Sequence, residues 1–226
     1  MVTFIFCYSK GKGDAMVKLR VISLALAMLG LAAAARAEIA GSAHDFSGLG
    51  FSQGQICLPC HAPHNTSTAV QNVPMWNHAV TSAVYQLYTS ETLDAGSPAG
   101  ALNQPGGSSK LCLSCHDGTI AIDAFGGNPG SQLISGRNNL GTDLGNDHPV
   151  SFVYDTHLAL ADGRLNDPAS TLSGLAGSTG TVLEDMLFAS RLECSSCHDV
   201  HNKFGQPALL LKSNTGSALC LTCHNL

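Results

Sequence analysis

Apolar and polar positions follow no sustained period over most of this chain. One long apolar run stands out at residues 21–35, preceded by Lys18 and Arg20 and followed by Ala35-Arg36-Ala37. A charged segment, an apolar segment and a small-x-small end make up a secretory leader. Residues 16–37 are therefore expected to be a signal peptide cut after Ala37, with residues 1–15 an overextended start. A membrane anchor is the rival reading, but the run is short of the about 20 residues a spanning helix needs. No cysteine stands at the cleavage point to carry a lipid.

Residues 38–226 then form the mature domain. Residues 38–56, rich in Gly and Ser around His44, read as an extended lead-in. Residues 73–92, with Trp76, Val84, Tyr85, Leu87 and Tyr88, read as a helix or strand with an apolar side. Residues 94–109 are rich in Gly, Ser and Pro and predict a surface loop. Residues 149–155 alternate enough for a short strand, 163–180 are again loop-like, and 182–189 allow one or two helical turns. No long helical period appears, and 24 glycines argue against a helical bundle.

Charge narrows the partners. The mature segment carries six Lys and Arg against fifteen Asp and Glu, a formal net charge of −9. Nucleic acid, whose binding requires basic side chains on phosphates, is not an expected partner.

Cysteine usage supplies the chemistry. Cys57-Leu58-Pro59-Cys60-His61 recurs as Cys112-Leu113-Ser114-Cys115-His116, Cys194-Ser195-Ser196-Cys197-His198 and Cys220-Leu221-Thr222-Cys223-His224. CXXCH is the attachment signature of c-type haem. Two thiols three positions apart can form thioethers to one macrocycle, and the adjacent His supplies an axial nitrogen. Zinc ribbons also use paired CXXC, and secreted chains use disulfides, but neither needs a His after every second Cys. Cys7 falls in the leader, so the eight remaining cysteines all lie in the four motifs. Four haem c groups are the expected cofactors. A chain this irregular would find in them the apolar surface it lacks. The expected fold is that of a multihaem cytochrome c: irregular loops, short helices and few short strands wrapped around stacked haems.

His61, His116, His198 and His224 are the expected proximal iron ligands. Six histidines remain: His44, His64, His78, His148, His157 and His201. His64 and His201 each follow a proximal His by three residues. Fifth and sixth ligands lie on opposite faces of one ring, so each is expected to cap a haem other than its own. His148, in the turn Asn146-Asp147-His148-Pro149, and His44 complete the distal set, with His78 in reserve and His157 last. His44, on an arm about 13 residues ahead of Cys57, is expected to cap a haem either of its own chain or of another copy, and the latter would join copies head to tail.

These residues carry a resemblance. The chain resembles the doubled-CXXCH multihaem cytochromes, most closely over residues 194–226, in CSSCHDVHN, LLL and LCLTCH. The pieces CLPCHAPHN, LCLSCHDGT and NDHPVSF are similar to exported cytochromes of metal-reducing bacteria, and His44 ahead of CLPCHAPH is similar to those that polymerise into extracellular haem filaments. The resemblance implies bis-His ligation through His64, His148 and His201. It also implies electron transfer in the periplasm or at the cell surface, with redox proteins or extracellular acceptors as partners. A multihaem reductase with one open iron is the alternative. All four motifs keep their His and the distal candidates exceed the irons, so an electron carrier is the expectation.

Overall fold

The computed structural model describes residues 39–64, 66–70, 73, 75–96 and 98–225. The expected leader and early start lie outside them. Regular structure is sparse, as the glycine content implies. The longest helix is α1, Gly107–His116. It is followed by β1, Phe152–Val153, α2, Thr156–Asp162, α3, Val182–Asp185, β2, Arg191–Leu192, and α4, Cys220–Cys223. Short 3-10 turns at Gly136–Asn138, Cys194–Ser196, Pro207–Leu209 and Thr215–Ser217 punctuate the loops. Among the described residues, no helix is long and apolar enough to cross a membrane.

The short elements have identifiable local causes. The Asp155 side chain accepts from the Leu158 N–H at 2.9 Å, capping α2, and Gly163 closes it at φ +70. Thr181 and Glu184 form a reciprocal capping box at the start of α3. β1 and β2 pair antiparallel, Phe152 opposite Leu192 and Val153 opposite Arg191.

These elements enclose an apolar core in the C-terminal half. Phe152, Tyr154, Leu158, Val182, Met186, Leu192, Leu211 and Leu219 are buried together. A smaller cluster joins Tyr85 and Leu144 to Leu113 of α1. Thus the peptide does build a core of its own.

Several expectations change. Residues 39–55 are not extended. Successive turns fold them, with Ser42 N–H on Ile39 O, Asp45 N–H on Ser42 O and Leu49 N–H on Phe46 O. Most of residues 75–92 is irregular, joined to the rest by isolated bridges at Trp76, His78 and Gln86. The expected loop at 94–109 runs into α1, which starts at Gly107. The strand within 149–155 and the helical turn within 182–189 are present.

Tyr154 joins this core to the C-terminal motif. It is 1% exposed, and its hydroxyl reaches the Asn166 carbonyl and, at 3.2 Å, the Cys223 carbonyl. Tyr154→Phe leaves both carbonyls without that donor. We expect a loss of roughly 1–2 kcal/mol of unfolding free energy, measured by chemical denaturation of the purified protein.

Candidate haem-binding sites

All four CXXCH segments fold into one tight turn. The motif His N–H donates to the carbonyl of the first Cys at 2.8 Å in motif one, 3.1 Å in motif three and 2.9 Å in motif four, and motif two ends α1. In a helical turn, positions three and four apart share a face. The sequence spacing thereby becomes two thiols and an imidazole on one side of each turn. All eight thiols are free. Among the described residues, no group of three or more His, Cys, Asp or Glu side chains converges as a metal-ion site, so the thiols are not arranged as a zinc ribbon would require.

Each turn is fixed by its surroundings. In motif one, Ala62 N–H bonds Met75 O, Asn77 N–H bonds Cys60 O at 2.8 Å, and the Asn77 amide donates to Leu58 O at 2.9 Å. Trp76 packs edge-on against His61, ring centres 6.2 Å apart. Motif three pairs with the following chain through Asp199 N–H on Leu209 O and Leu211 N–H on Cys197 O. Motif four is held by Asn166 N–H on Cys223 O and Asn225 N–H on Arg164 O.

Successive motifs adjoin. Burial, and then the nearby Cys60 and Asp117, push the Cys115 thiol up to about 12. The neighbouring Cys194 and burial raise the Cys112 thiol well above the ordinary range. Burial, followed by Cys223 and the other nearby thiols, raises Cys197 to about 11. Motif one therefore neighbours motif two, two neighbours three, and three neighbours four.

The histidines form cross-chain pairs. His61 and His201 stack with ring centres 6.3 Å apart and planes 17° apart. His44 and His116 stand 6.0 Å apart at 56°. His148 and His224 stand 6.2 Å apart at 72°. A metal–imidazole nitrogen bond is about 2.0–2.1 Å, so two imidazoles on opposite sides of one metal hold their ring centres roughly 6 Å apart. All three pairs have that separation, and each joins a motif histidine to one of the six others. The residues present fit bis-imidazole ligation of haem iron.

Ring orientation also fits. His116 donates Nδ1–H to Asn138 O at 2.8 Å, His148 to Pro149 O at 2.9 Å and His198 to Ala208 O at 2.9 Å. A backbone carbonyl on Nδ1 fixes the tautomer and leaves Nε2 as the ligating nitrogen. The Nδ1 atoms of His44 and His61 are buried with no hydrogen-bond partner. Burial, and then His116 and His198, lower His44 to about 4. At neutral pH it holds the uncharged form a metal needs.

Three other histidines stand apart from these pairs. His78, the reserve, is 3% exposed. Its Nδ1 lies 2.8 Å from Ala79 O and its Nε2 3.0 Å from Ala121 O. Both nitrogens of His78 face backbone carbonyls, a neutral imidazole can donate to only one of them, and Nε2 also lies 3.5 Å from Cys115 Sγ. His64 is exposed beyond motif one, and His157 is exposed near the start of α2. The His44 ring lies 6.0 Å from that of His116.

Two carboxylates that sequence reasoning passed over are central. Glu193 precedes motif three and is treated below. Asp117, directly after His116, is 4% exposed. It accepts from Tyr85 OH at 2.7 Å, Thr81 Oγ1 at 2.8 Å, and Thr119 N–H and Oγ1, both at 2.8 Å. Burial acts to raise the pKa of its carboxyl, but these donors outweigh it and the net shift is downward. The only sequence signal is a short acid beside a motif His followed by Gly and Thr.

The comparisons agree with this geometry. Residues 187–225 match the family model described as the doubled CXXCH motif. That motif indicates a multihaem c-type cytochrome, a class of haem-based electron carriers. No curated protein matches the chain.

Asp117→Ala should cost roughly 1–3 kcal/mol for each buried donor left without a partner. Tyr85 and Thr81 are the donors concerned. The check is chemical denaturation, with haem absorbance following motif two.

Proposed function

We propose that this chain is an exported tetrahaem electron-transfer protein of the periplasm or cell surface. In it, the thiols of Cys57, Cys60, Cys112, Cys115, Cys194, Cys197, Cys220 and Cys223 hold four haem c groups. Bound haem iron supplies reversible one-electron oxidation and reduction. The observation that carries the reading is the set of three imidazole pairs at 6.0–6.3 Å.

The residues divide the work as follows. His61 and His201 serve one iron, His116 and His44 the second, and His224 and His148 the fourth. His64 stands to motif one as His201 stands to motif three, so we assign it to the remaining iron, that of His198. Imidazole on both faces leaves no position for a substrate, which suits a carrier rather than a catalyst. His/His ligation also keeps the potential below that of His/Met. The contacts between successive motifs order the four sites along the sequence, from motif one to motif four. With His44 engaged by His116 of its own chain, a head-to-tail homopolymer would have to be joined by some other contact. The partners in this reading are redox proteins or extracellular acceptors, and the acidic mature segment favours a basic docking face on them.

Intact mass after denaturation tests attachment. The expected mass is the mature chain plus four haems, with no cysteine left to alkylate; fewer haems would remove the reading. Spectroscopy tests ligation. All four irons should be six-coordinate and low-spin, and carbon monoxide should not bind the folded protein. Binding at one iron would favour the open-site reductase.

His201→Ala tests the pairing. We expect one of four haems to become high-spin, the one attached through Cys57 and Cys60. A change at the haem of Cys194 and Cys197 instead would overturn the assignment.

A further inference from the structure

Glu193 occupies an unusual position for a charged residue. It is 2% exposed and immediately precedes the first thiol of motif three. Helix α1, which carries motif two, has Gly106 as its N-cap and therefore no side-chain cap of its own. Glu193 provides one from 84 residues away in sequence. Its Oε2 accepts the Ser109 N–H at 3.3 Å and the Ser109 hydroxyl at 2.5 Å. The same oxygen accepts the Ser151 hydroxyl at 2.8 Å. The Ser109 hydroxyl in turn accepts from Cys194 N–H at 2.9 Å, and Ser108 and Ser195 are joined through their hydroxyls. Gly107 makes room, since a Cβ there would lie 2.8 Å from Glu193 Oε1.

The side-chain oxygen Oε2 of Glu193 accepts three hydrogen bonds. Arg191 Nε lies 3.8 Å from Oε1. A carboxylate oxygen accepts, and the Ser109 and Ser151 groups around it donate. The carboxylate sits at the seam between motifs two and three, where Ser109 bonds both Glu193 and the Cys194 N–H.

We infer that Glu193 is a positioning residue for electron transfer, locking motif two against motif three and holding one buried negative charge between the two haems they carry. The inference rests on the tetrahaem reading above. Each haem gains an electron on reduction, and a fixed negative charge nearby opposes that gain. In a buried, low-dielectric site the effect is strong, and it falls off with distance. Glu193 therefore lowers the potentials of the second and third haems relative to a neutral residue and leaves the first and fourth little changed. Arg191, at the edge of the same site, partly offsets it.

The test is spectroelectrochemical titration of the haem-loaded full chain, with haem content read by intact mass. Glu193→Gln should raise two of the four potentials, and Arg191→Gln should lower the same two. A purely structural role would not give shifts of opposite sign. Potentials unmoved in both variants, or all four moved alike, would overturn the role of Glu193 in a protein that still carries four haems. Should Glu193→Gln fail to mature, Arg191→Gln decides alone: a fall in two potentials supports the inference, and no change overturns it. A wild-type chain without four haems would sink the tetrahaem reading itself, and the mass shows this before any potential is measured.

Discussion

One hydrogen bond recurs wherever this chain does chemistry. It runs from the N–H of a motif histidine to the carbonyl of the cysteine four positions earlier. A single turn closed in this way brings two thiols and an imidazole to one side of the backbone. The turn is too short to be stable alone, since helix nucleation is unfavourable in short segments. The remaining architecture holds four such turns in place. Backbone ladders on either side of motif three, the Asn77 amide on motif one and the Tyr154 hydroxyl on motif four all serve that purpose.

The chain spends little on regular structure because its long-range contacts are local stitches between loops. Two-residue strands and four-residue helices contribute few hydrogen bonds each. Side-chain oxygens do much of the joining, as in the Ser109, Ser151 and Glu193 cluster or the Tyr85, Thr81 and Asp117 cluster. A buried network with every member satisfied specifies one arrangement and rejects near alternatives.

The four CXXCH turns were legible in the sequence because their chemistry is written in consecutive residues. The expectation that His201 caps another motif's haem came from its three-residue link to His198, and the structure sets its ring 6.3 Å from that of His61. The strand at Phe152–Val153 showed in its alternation, and α3 in Val182 and its neighbours. The partner of each distal histidine was not legible, since that depends on distances between residues up to 140 positions apart. The surroundings of His78 were hidden for the same reason: only the fold places the Ala79 and Ala121 carbonyls beside its two nitrogens. Helix α2 left a signal in Asp155 and Gly163, a cap and a stop, that its short apolar pattern obscured. The turns of residues 39–55 have no such cue, because Gly and Ser permit extended and folded backbone alike.

The stacked pair of His61 and His201 has a consequence in time. On the proposed export, the chain would cross the membrane from its N-terminus, bringing His61 out with the first CXXCH motif and His201 140 residues later. His44 and His116 are both outside well before then. On the proposed pairing, the second centre can acquire both its axial side chains while the first still waits for one of its own. The earliest site to emerge is therefore among the last to be completed, and its closure ties the two ends of the journey together.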